Sequence, residues 1–323
     1  MQLIDDTICL LLQKYVNKKL NNNGKANSFK PYKEPGRIEL EEGIVCLNDI
    51  SYGSTYPNSF LDIWYPSARN NTKCPVMVYF HGGGFCMGDK SSGDPLSAGK
   101  ENGSKLLLEI VKEGYILLNA SYCLAPQYRF PSQIYQVDEV MRFILDNADY
   151  YGFDTNNIII GGASAGANMT AIYATAICNP NYADILGLNP FVKAKSVKAL
   201  FINEAALDSE HFNQSMNILT NGWLGKNIKN NKDLKNRISA TDYILQEFIP
   251  TFINTSNMED WFVLYAKRLH EKLDSINVPN ELIYFDKDVE ELQHGYMDLL
   301  GKSICANQAF EQLLLFLEEY VKR

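Results

Sequence analysis

The fold is decided by the stretch Ile158-Ile159-Ile160-Gly161-Gly162-Ala163-Ser164-Ala165-Gly166-Ala167-Asn168. Three consecutive isoleucines predict a buried strand, and the residues that follow Asn168 predict a helix. Between them lies the pattern G-x-S-x-G, formed by Gly162, Ser164 and Gly166. A serine on a sharp strand-to-helix turn has a strained backbone and an exposed hydroxyl, and the helix N-terminus behind it favours developing negative charge. We therefore interpret Ser164 as a nucleophile; an ordinary Gly/Ser-rich connection is the alternative.

A second glycine motif precedes this turn in the chain. The apolar run 75–80 predicts a central strand, and it ends in His81-Gly82-Gly83-Gly84-Phe85. Three glycines directly after a strand allow backbone N–H groups to point at one spot without interference from side chains. An oxyanion hole needs such fixed donors. We interpret the motif as part of the same site as Ser164, with a flexible glycine turn as the alternative.

Strands and helices alternate around both motifs. A helix is predicted over 105–112, a strand over 115–119, and a long helix from the N-cap Ser132, before the strand that carries Ser164. This alternation predicts right-handed crossovers and an α/β fold, a mostly parallel twisted sheet with helices on both faces. Residues 37–66 predict early, partly antiparallel strands.

We expect one domain over residues 1–323, with two additions to the sheet. Residues about 3–20 predict an amphipathic helix that either packs against the body or forms a flap over the site. Residues about 206–248 break the alternation and predict a small helical lid insertion.

Composition excludes several classes of function. The net charge is −8 and the pI about 5.2, so the chain lacks the basic character of nucleic-acid-binding proteins. Seven scattered cysteines without a C-x-x-C pair argue against a disulfide framework or a zinc site and for a reducing compartment. Acidic residues at the N-terminus disfavour a signal peptide, and no apolar stretch approaches membrane-spanning length. We expect a cytoplasmic protein that needs no cofactor or metal and binds neither nucleic acid nor membrane; a homo-oligomer is compatible with the sequence.

A serine nucleophile needs an adjacent base, which is itself held by a third group. The chain has four histidines. His294 lies in a loop between the last predicted strand and the terminal helix and is the favoured base. His211 in the lid is the alternative, whereas His81 belongs to the glycine loop and His270 to a helix face. For the third group, the loop before the helix at Trp261 offers two carboxylates, Glu259 and Asp260, and either could serve.

Together these motifs resemble the hormone-sensitive-lipase-like and acetyl-esterase branch of the α/β-hydrolase superfamily. The matching residues are His81-Gly-Gly-Gly-Phe85, Tyr122-Cys-Leu-Ala-Pro126 with Phe130-Pro131, Gly162-Ala-Ser-Ala-Gly166 and His294. The resemblance covers roughly residues 45–320. It implies that Ser164 is the nucleophile, His294 the base, and the amides of Gly83, Gly84 and Ala165 the oxyanion donors, with the acid between serine and histidine in the chain.

The chain departs from that family pattern in two places. The family usually has Gly-Asp-Ser-Ala-Gly-Gly at the turn, where this chain has Ala163 and Ala167. The family's acid follows the opening proline of its strand by about nine residues, and the ninth residue after Pro250 is Glu259. By the resemblance Glu259 is therefore favoured as the acid, and Asp260 requires a one-residue slip.

The resemblance implies a serine carboxylesterase that hydrolyses short-chain or acetyl esters of small molecules through an acyl-enzyme. A peptidase or formamidase with the same triad is one alternative. A hydrolase fold retained only to bind a ligand is the other, and a fluorophosphonate probe that labels active serines would discriminate it from an enzyme.

Overall fold

A nine-stranded mixed sheet runs through the part of the chain that the computed structural model describes, residues 2–19, 26–29, 35–67, 73–99, 103–207 and 209–321. The strands are β1 (Arg37–Glu39), β2 (Val45–Ser51), β3 (Phe60–Tyr65), β4 (Cys74–Phe80), β5 (Ile116–Ala120), β6 (Phe153–Ala163), β7 (Val197–Asn203), β8 (Thr251–Asn254) and β9 (Asn280–Ile283). The helices are α1 (Gln2–Lys19), α2 (Gly103–Lys112), α3 (Ser132–Asp146), α4 (Ala148–Tyr151), α5 (Ala165–Cys178), α6 (Pro180–Leu186), α7 (Gln214–Leu224), α8 (Lys232–Ile238), α9 (Asp260–Ser275) and α10 (Ile304–Tyr320).

The strand order in the sheet is β1-β2-β3-β5-β4-β6-β7-β8-β9. The first three pairings, up to β3 with β5, are antiparallel, and every pairing from β5–β4 onward is parallel. The predicted α/β class and its mostly parallel sheet are confirmed. The parallel part arises because each of its strands is separated from the next in sequence by a helix that crosses over the sheet.

Alternate residues of the central strands face two separate apolar cores. On β4, Val76 and Val78 pack in the core that contains α3 and α5. Met77 and Tyr79 pack in the core that contains α2 and α10. Because both faces are covered, the strands are continuously apolar, which explains why three consecutive isoleucines can belong to β6.

The carboxyl ends of β6, β7 and β8 lie side by side at one edge of the sheet. Ala163 pairs with Asn203, and Asn203 pairs with Asn254. The Asn254 side-chain amide donates to Oδ1 of Asn203 over 2.7 Å. The residue after each of these strands is therefore placed close to the residues after its neighbours, which is where open α/β sheets bind ligands.

The helix α1 lies against α7, which belongs to the predicted lid segment. The Asn221 side-chain amide donates to Asp5 over 2.9 Å, and Arg129 pairs with Asp6 over 2.8 Å. The predicted N-terminal helix and lid include residues 20 and 208, which lie outside the described residues; the assignment of 1–323 to one domain stays a prediction. Across the described residues, the helices are all too short or too polar to span a bilayer.

Candidate active site

The turn between β6 and α5 carries Ser164 in a strained backbone conformation. Ser164 has φ 51° and ψ −114°, and positive φ is uncommon for residues other than glycine. A Cβ on Gly162 would lie 2.6 Å from the carbonyl carbon of Gly166, and a Cβ on Gly166 would lie 2.1 Å from the carbonyl oxygen of Phe80. Only glycine fits on either side of the turn, so the G-x-S-x-G spacing holds Ser164 at the carboxyl edge of the sheet.

Ser164 borders a cavity of about 520 Å³. Most of the side chains around it are apolar, and several of these come from α1, α7 and the start of α9. They include Ile8, Leu12, Met216, Leu219, Trp223 and Phe262. The Phe85 ring, next to the glycine loop, stacks on Trp223 with 3.7 Å between ring centroids. The nucleophile candidate therefore opens onto a preformed space that suits an apolar group.

Two of the three predicted oxyanion donors lie at this cavity. Gly84 and Ala165 line it together with Ser164, whereas Gly83 is outside its lining. Gly83 and Gly84 have φ values of 104° and 59°, which glycine adopts without strain. Ala165 is the first residue of α5, and an amide at that position has no acceptor within its own helix.

His294 lies at the same cavity, and its partner differs from the predicted acids. Its Nδ1 is hydrogen-bonded to Oε2 of Glu204, which also accepts from the Gly295 amide over 2.8 Å. The Glu204 side chain is only 1% exposed. The structure thus corrects the prediction of Glu259 or Asp260 as the carboxylate that holds His294.

The strand order explains the correction. Glu204 directly follows β7, the neighbour of β6, and its amide donates to the carbonyl oxygen of Asn254 over 2.9 Å. Glu259 is the N-cap of α9, and its carboxylate accepts from the Ser256 hydroxyl over 3.1 Å. Glu259 lines the cavity without a hydrogen bond to His294 among the described contacts. Asp260 is the first residue of α9 and is exposed.

A signal for Glu204 was present in the sequence. It is a charged residue directly after the apolar strand Val197–Asn203, at the end where parallel strands place ligands and reacting groups. The family pattern directed attention to the loop after the following strand instead. A search for carboxylates after every predicted strand would have included Glu204.

The second nitrogen of His294 faces another carboxylate. Its Nε2 lies 3.0 Å from Oδ2 of Asp94, whose side chain is 4% exposed. Burial by itself would lower the pKa of His294, but the charge of Glu204 and the hydrogen bonds to Asp94 and Glu204 outweigh it and raise that pKa well above its ordinary value. Burial would raise the pKa of Asp94, and the hydrogen bond and charge of His294 lower it instead. Burial raises the pKa of nearby Asp298 to about 6.

The other three histidines are outside the lining of the cavity around Ser164. The His81 ring stacks on Tyr122 with 4.2 Å between centroids, and its Nδ1 donates to the Gly82 carbonyl oxygen over 2.7 Å. Burial lowers the pKa of His81. His270 lies on α9 with Nδ1 2.5 Å from Oδ1 of Asn280. His211, the alternative base, is exposed and lies outside the cavity lining.

Within the described ranges, no cluster of three or more His, Cys, Asp or Glu side chains is arranged to hold a metal ion. The arrangement of Ser164, the glycine-loop amides and a carboxylate-bound imidazole can instead supply a nucleophile, an oxyanion site and a proton acceptor.

Similar proteins are esterases and a deacetylase. Carboxylesterase NlhH of Mycobacterium tuberculosis is 32% identical over 111 residues, which are 34% of this chain and 31% of that protein. Arylacetamide deacetylase of Oryctolagus cuniculus is 22% identical over 264 residues, which are 79% of this chain and 61% of that protein. The matches therefore span about a third of the first relative and less than two thirds of the second.

A solved structure shares the fold over nearly the whole chain. Esterase B of Lactobacillus Rhamnosis superposes with a TM-score of 0.74 at 16% identity, over 98% of this chain and 96% of that one. A second structure of that esterase is inhibited by a tributyrin phosphonate and superposes with a TM-score of 0.73. At this identity the likeness concerns the fold, and it agrees with the α/β-hydrolase architecture predicted from the motifs.

The BD-FAE family model matches residues 61–273. This segment is more than half of the 323 residues and includes the glycine loop, Ser164 and Glu204. The chain therefore belongs to the BD-FAE family of α/β-hydrolases.

Proposed function

We propose that this protein is a serine carboxylesterase with Ser164 as nucleophile, His294 as base and Glu204 as the acid that orients His294. The observation that carries the proposal is the meeting of Ser164, Gly84, Ala165 and His294 at one cavity, with the Glu204 carboxylate bound to the far nitrogen of the imidazole. The carboxylesterase and deacetylase names of the relatives support the same reaction class.

Each group has one part in the reaction. The Ser164 oxygen attacks the ester carbonyl carbon and its proton passes to Nε2 of His294, while the amides of Gly84 and Ala165 bind the oxyanion. The C–O bond breaks and the alcohol leaves with the proton from His294. Water, which loses a proton to the same nitrogen, then attacks the acyl carbon. The bond to the Ser164 oxygen breaks, that oxygen takes the proton back from His294, and the acid is released. Glu204 keeps the proton on Nδ1 and stabilises the imidazolium.

The apolar cavity supports small esters of apolar acids or alcohols as substrates. We propose acetyl to short-chain esters, which a cavity of about 520 Å³ can contain. The acyl-chain preference is tested by measuring kcat/KM for p-nitrophenyl esters from acetate to decanoate. We expect the highest kcat/KM for the short chains.

Amide hydrolysis is the second candidate, because the match to arylacetamide deacetylase covers 79% of this chain. Phenyl acetate and acetanilide differ only in the ester oxygen and the amide nitrogen. A comparison of their kcat/KM values separates an esterase from an amidase that uses the same residues.

The test of the proposal is labelling with a fluorophosphonate probe, read by mass spectrometry, together with p-nitrophenyl acetate hydrolysis. We expect the wild type to be labelled on Ser164 and Ser164→Ala to lose both labelling and turnover. Ser275→Ala, an exposed serine at the end of α9, is the control that retains both. Wild-type turnover by Ser164→Ala would refute the proposal, and tight ligand binding without labelling would indicate a non-enzymatic protein.

We also propose a cytoplasmic location. None of the seven cysteines, all of which lie in described segments, forms a disulfide, as is usual in a reducing compartment. Fractionation of the native cells, with detection by an antibody to this chain, tests the location.

A further inference from the structure

The loop after the oxyanion motif packs directly on the histidine loop. The Ala98 amide donates to the carbonyl oxygen of His294 over 2.7 Å. Asp94, in the same loop, is held by the Leu96 amide, which donates to its Oδ1 over 2.8 Å. Its other oxygen, Oδ2, lies 3.0 Å from Nε2 of His294. Asp94 is thus held against Nε2 of His294, the nitrogen that accepts the Ser164 proton in the proposed reaction.

This geometry defines the protonation state of the ring. The carboxylates of Glu204 and Asp94 are buried and face the two nitrogens of His294. An ionised carboxylate only accepts hydrogen bonds, so hydrogen bonds from the ring to two ionised carboxylates require a proton on each nitrogen, that is, an imidazolium. Within the described contacts Ser164 makes no hydrogen bond to His294, and an imidazolium has no lone pair to offer it.

We propose that Asp94 is a positioning residue that holds protonated His294 away from Ser164 and thereby switches the enzyme off as the pH falls. The inference rests on the proposed esterase function and assigns a role to a carboxylate outside the triad. When His294 loses its Nε2 proton, the hydrogen bond to Asp94 is lost and Nε2 becomes free to accept from Ser164. Activity is therefore present above the pKa of His294 and is lost below it.

The other titratable groups around the ring act in defined directions. Glu204 after β7 and Asp94 both favour the imidazolium. Asp298, in the turn after His294, is a further carboxylate. It accepts a hydrogen bond from the Ser97 hydroxyl over 2.5 Å. Glu259 shares the cavity from the N-terminus of α9, and Phe262 on α9 stacks on the ring at 4.8 Å without a charge. Among these described residues, the charged neighbours of the ring are carboxylates, so none of these opposes the effect of Asp94.

Asp94 has a polar place to remain when the hydrogen bond opens. It lines a second cavity, of about 490 Å³, together with Ala163, Lys90 and Asp298. Trp64 and His81, whose buried Nε1 and Nε2 atoms have no hydrogen-bond partner among the described residues, also line this cavity. A carboxylate released from His294 therefore keeps the Leu96 amide as a donor and lies in a cavity that has polar as well as apolar side chains.

The first experiment uses the wild-type protein. The rate of fluorophosphonate labelling of Ser164 is measured from pH 5 to pH 9. We expect the acidic limb of the profile to lie above the ordinary histidine pKa of about 6.5. A limb at or below that value would overturn the role of Asp94, whereas no labelling at any pH would refute the proposed function itself.

The second experiment compares Asp94→Asn with Asp89→Asn. Asp89 lies in the same loop and caps it through the Ser91 and Ser92 amides, and asparagine serves as such a cap equally well. We expect Asp94→Asn to move the acidic limb of kcat/KM for p-nitrophenyl acetate down by about one to two pH units and to keep kcat on the alkaline plateau. Asp89→Asn, with the same change in net charge, should leave the limb in place.

The inference would be contradicted if the acidic limb of Asp94→Asn lay at the same pH as that of the wild type. It would also be contradicted if Asp94→Asn and Asp89→Asn shifted the limb by the same amount. A merely structural role of Asp94 predicts a lower plateau with an unmoved limb. If Asp94→Asn does not fold, Asp94→Ser, which also removes the carboxylate, is measured in its place, because Glu204 alone could raise the wild-type limb.

Discussion

Glu204 and Glu259 are both glutamates at the carboxyl edge of the sheet, and only Glu204 contacts His294. The difference arises from the strand that each of them follows. Glu204 comes directly after β7, beside the serine turn, with φ 62°. This strained φ directs the residue out of the strand. Glu259 is five residues beyond the end of β8 and caps a helix.

At this scale the acid can be tested directly. We expect Glu204→Gln to lower kcat for p-nitrophenyl acetate by about 10³–10⁴-fold, because a neutral amide no longer stabilises the imidazolium or fixes its tautomer. Glu259→Gln, the matched control at the same cavity, should change kcat by only a few fold. Unfolding curves establish that both variants are folded. The reverse ranking of the two variants would restore Glu259 as the acid.

Gly166 shows how a single residue determines the geometry of the turn. We expect Gly166→Ala to lower the free energy of unfolding by more than about 3 kcal/mol, since its Cβ would collide with backbone atoms of β4 that cannot move aside. Gly114→Ala is the control: its φ is 94° but the space around it is open, so strain alone should cost about 1–2 kcal/mol. Urea denaturation measures both, and equal losses would show that the contact with β4 is unimportant.

At the scale of elements, a buried lysine joins the loop after the oxyanion motif to two carboxylates in the antiparallel part of the sheet. The Lys90 ammonium lies 2.7 Å from Asp49 on β2 and 2.8 Å from Asp62 on β3, and its side chain is 4% exposed. Burial would lower the pKa of Lys90, but the two carboxylates raise it. Burial raises the pKa of Asp62 despite the lysine. Lys90 thus holds the loop that carries Asp94.

We expect Lys90→Met to destabilise the protein by about 3–5 kcal/mol near pH 7, because buried Asp62 and partly buried Asp49 lose their cation. The folded-state pKa of Asp62 then rises further, so the folded protein binds more protons than the unfolded chain as the pH falls. The loss should therefore be smaller at pH 5 than at pH 7. Lys73→Met, which removes an exposed pair with Asp149, should leave stability close to wild type at both values. A loss that does not change with pH would contradict this account.

For the whole molecule, the N-terminal helix completes the cavity from outside the sheet. Ile8 and Leu12 of α1 line it, together with Trp223 of α7 and Trp261 of α9. Segments that are far apart in sequence therefore define one space over Ser164. If the protein is the proposed esterase, we expect this cover to determine which acyl chains fit.

We expect Leu12→Trp to fill part of this cavity and to lower kcat/KM for p-nitrophenyl hexanoate at least about tenfold relative to acetate, as added side-chain volume excludes the longer chain. Leu11→Trp is the matched control, since Leu11 is 61% exposed on the same helix. The ratio of the two esters, measured on each variant, is the readout. An unchanged ratio in Leu12→Trp would show that α1 does not border the acyl site.

The sequence by itself determined the local features of this protein. The turn at Ser164, the glycine loop after β4 and the parallel alternation all follow from short-range physics: backbone sterics, the period of apolar residues and the conformational freedom of glycine. His294 could also be selected, because the chain has few histidines and only one follows the last predicted strand.

Only the tertiary structure decided which carboxylates reach His294. Glu204 and Asp94 lie 90 and 200 residues before it in the chain, and their contacts depend on strand order and on the packing of one loop against another. A local pattern cannot show which carboxylate contacts His294, because several loops lie at the same edge of the sheet. Which of them reaches the ring depends on how the loops pack against one another. The two carboxylates that raise the pKa of His294 likewise reach the ring only after these loops pack against one another.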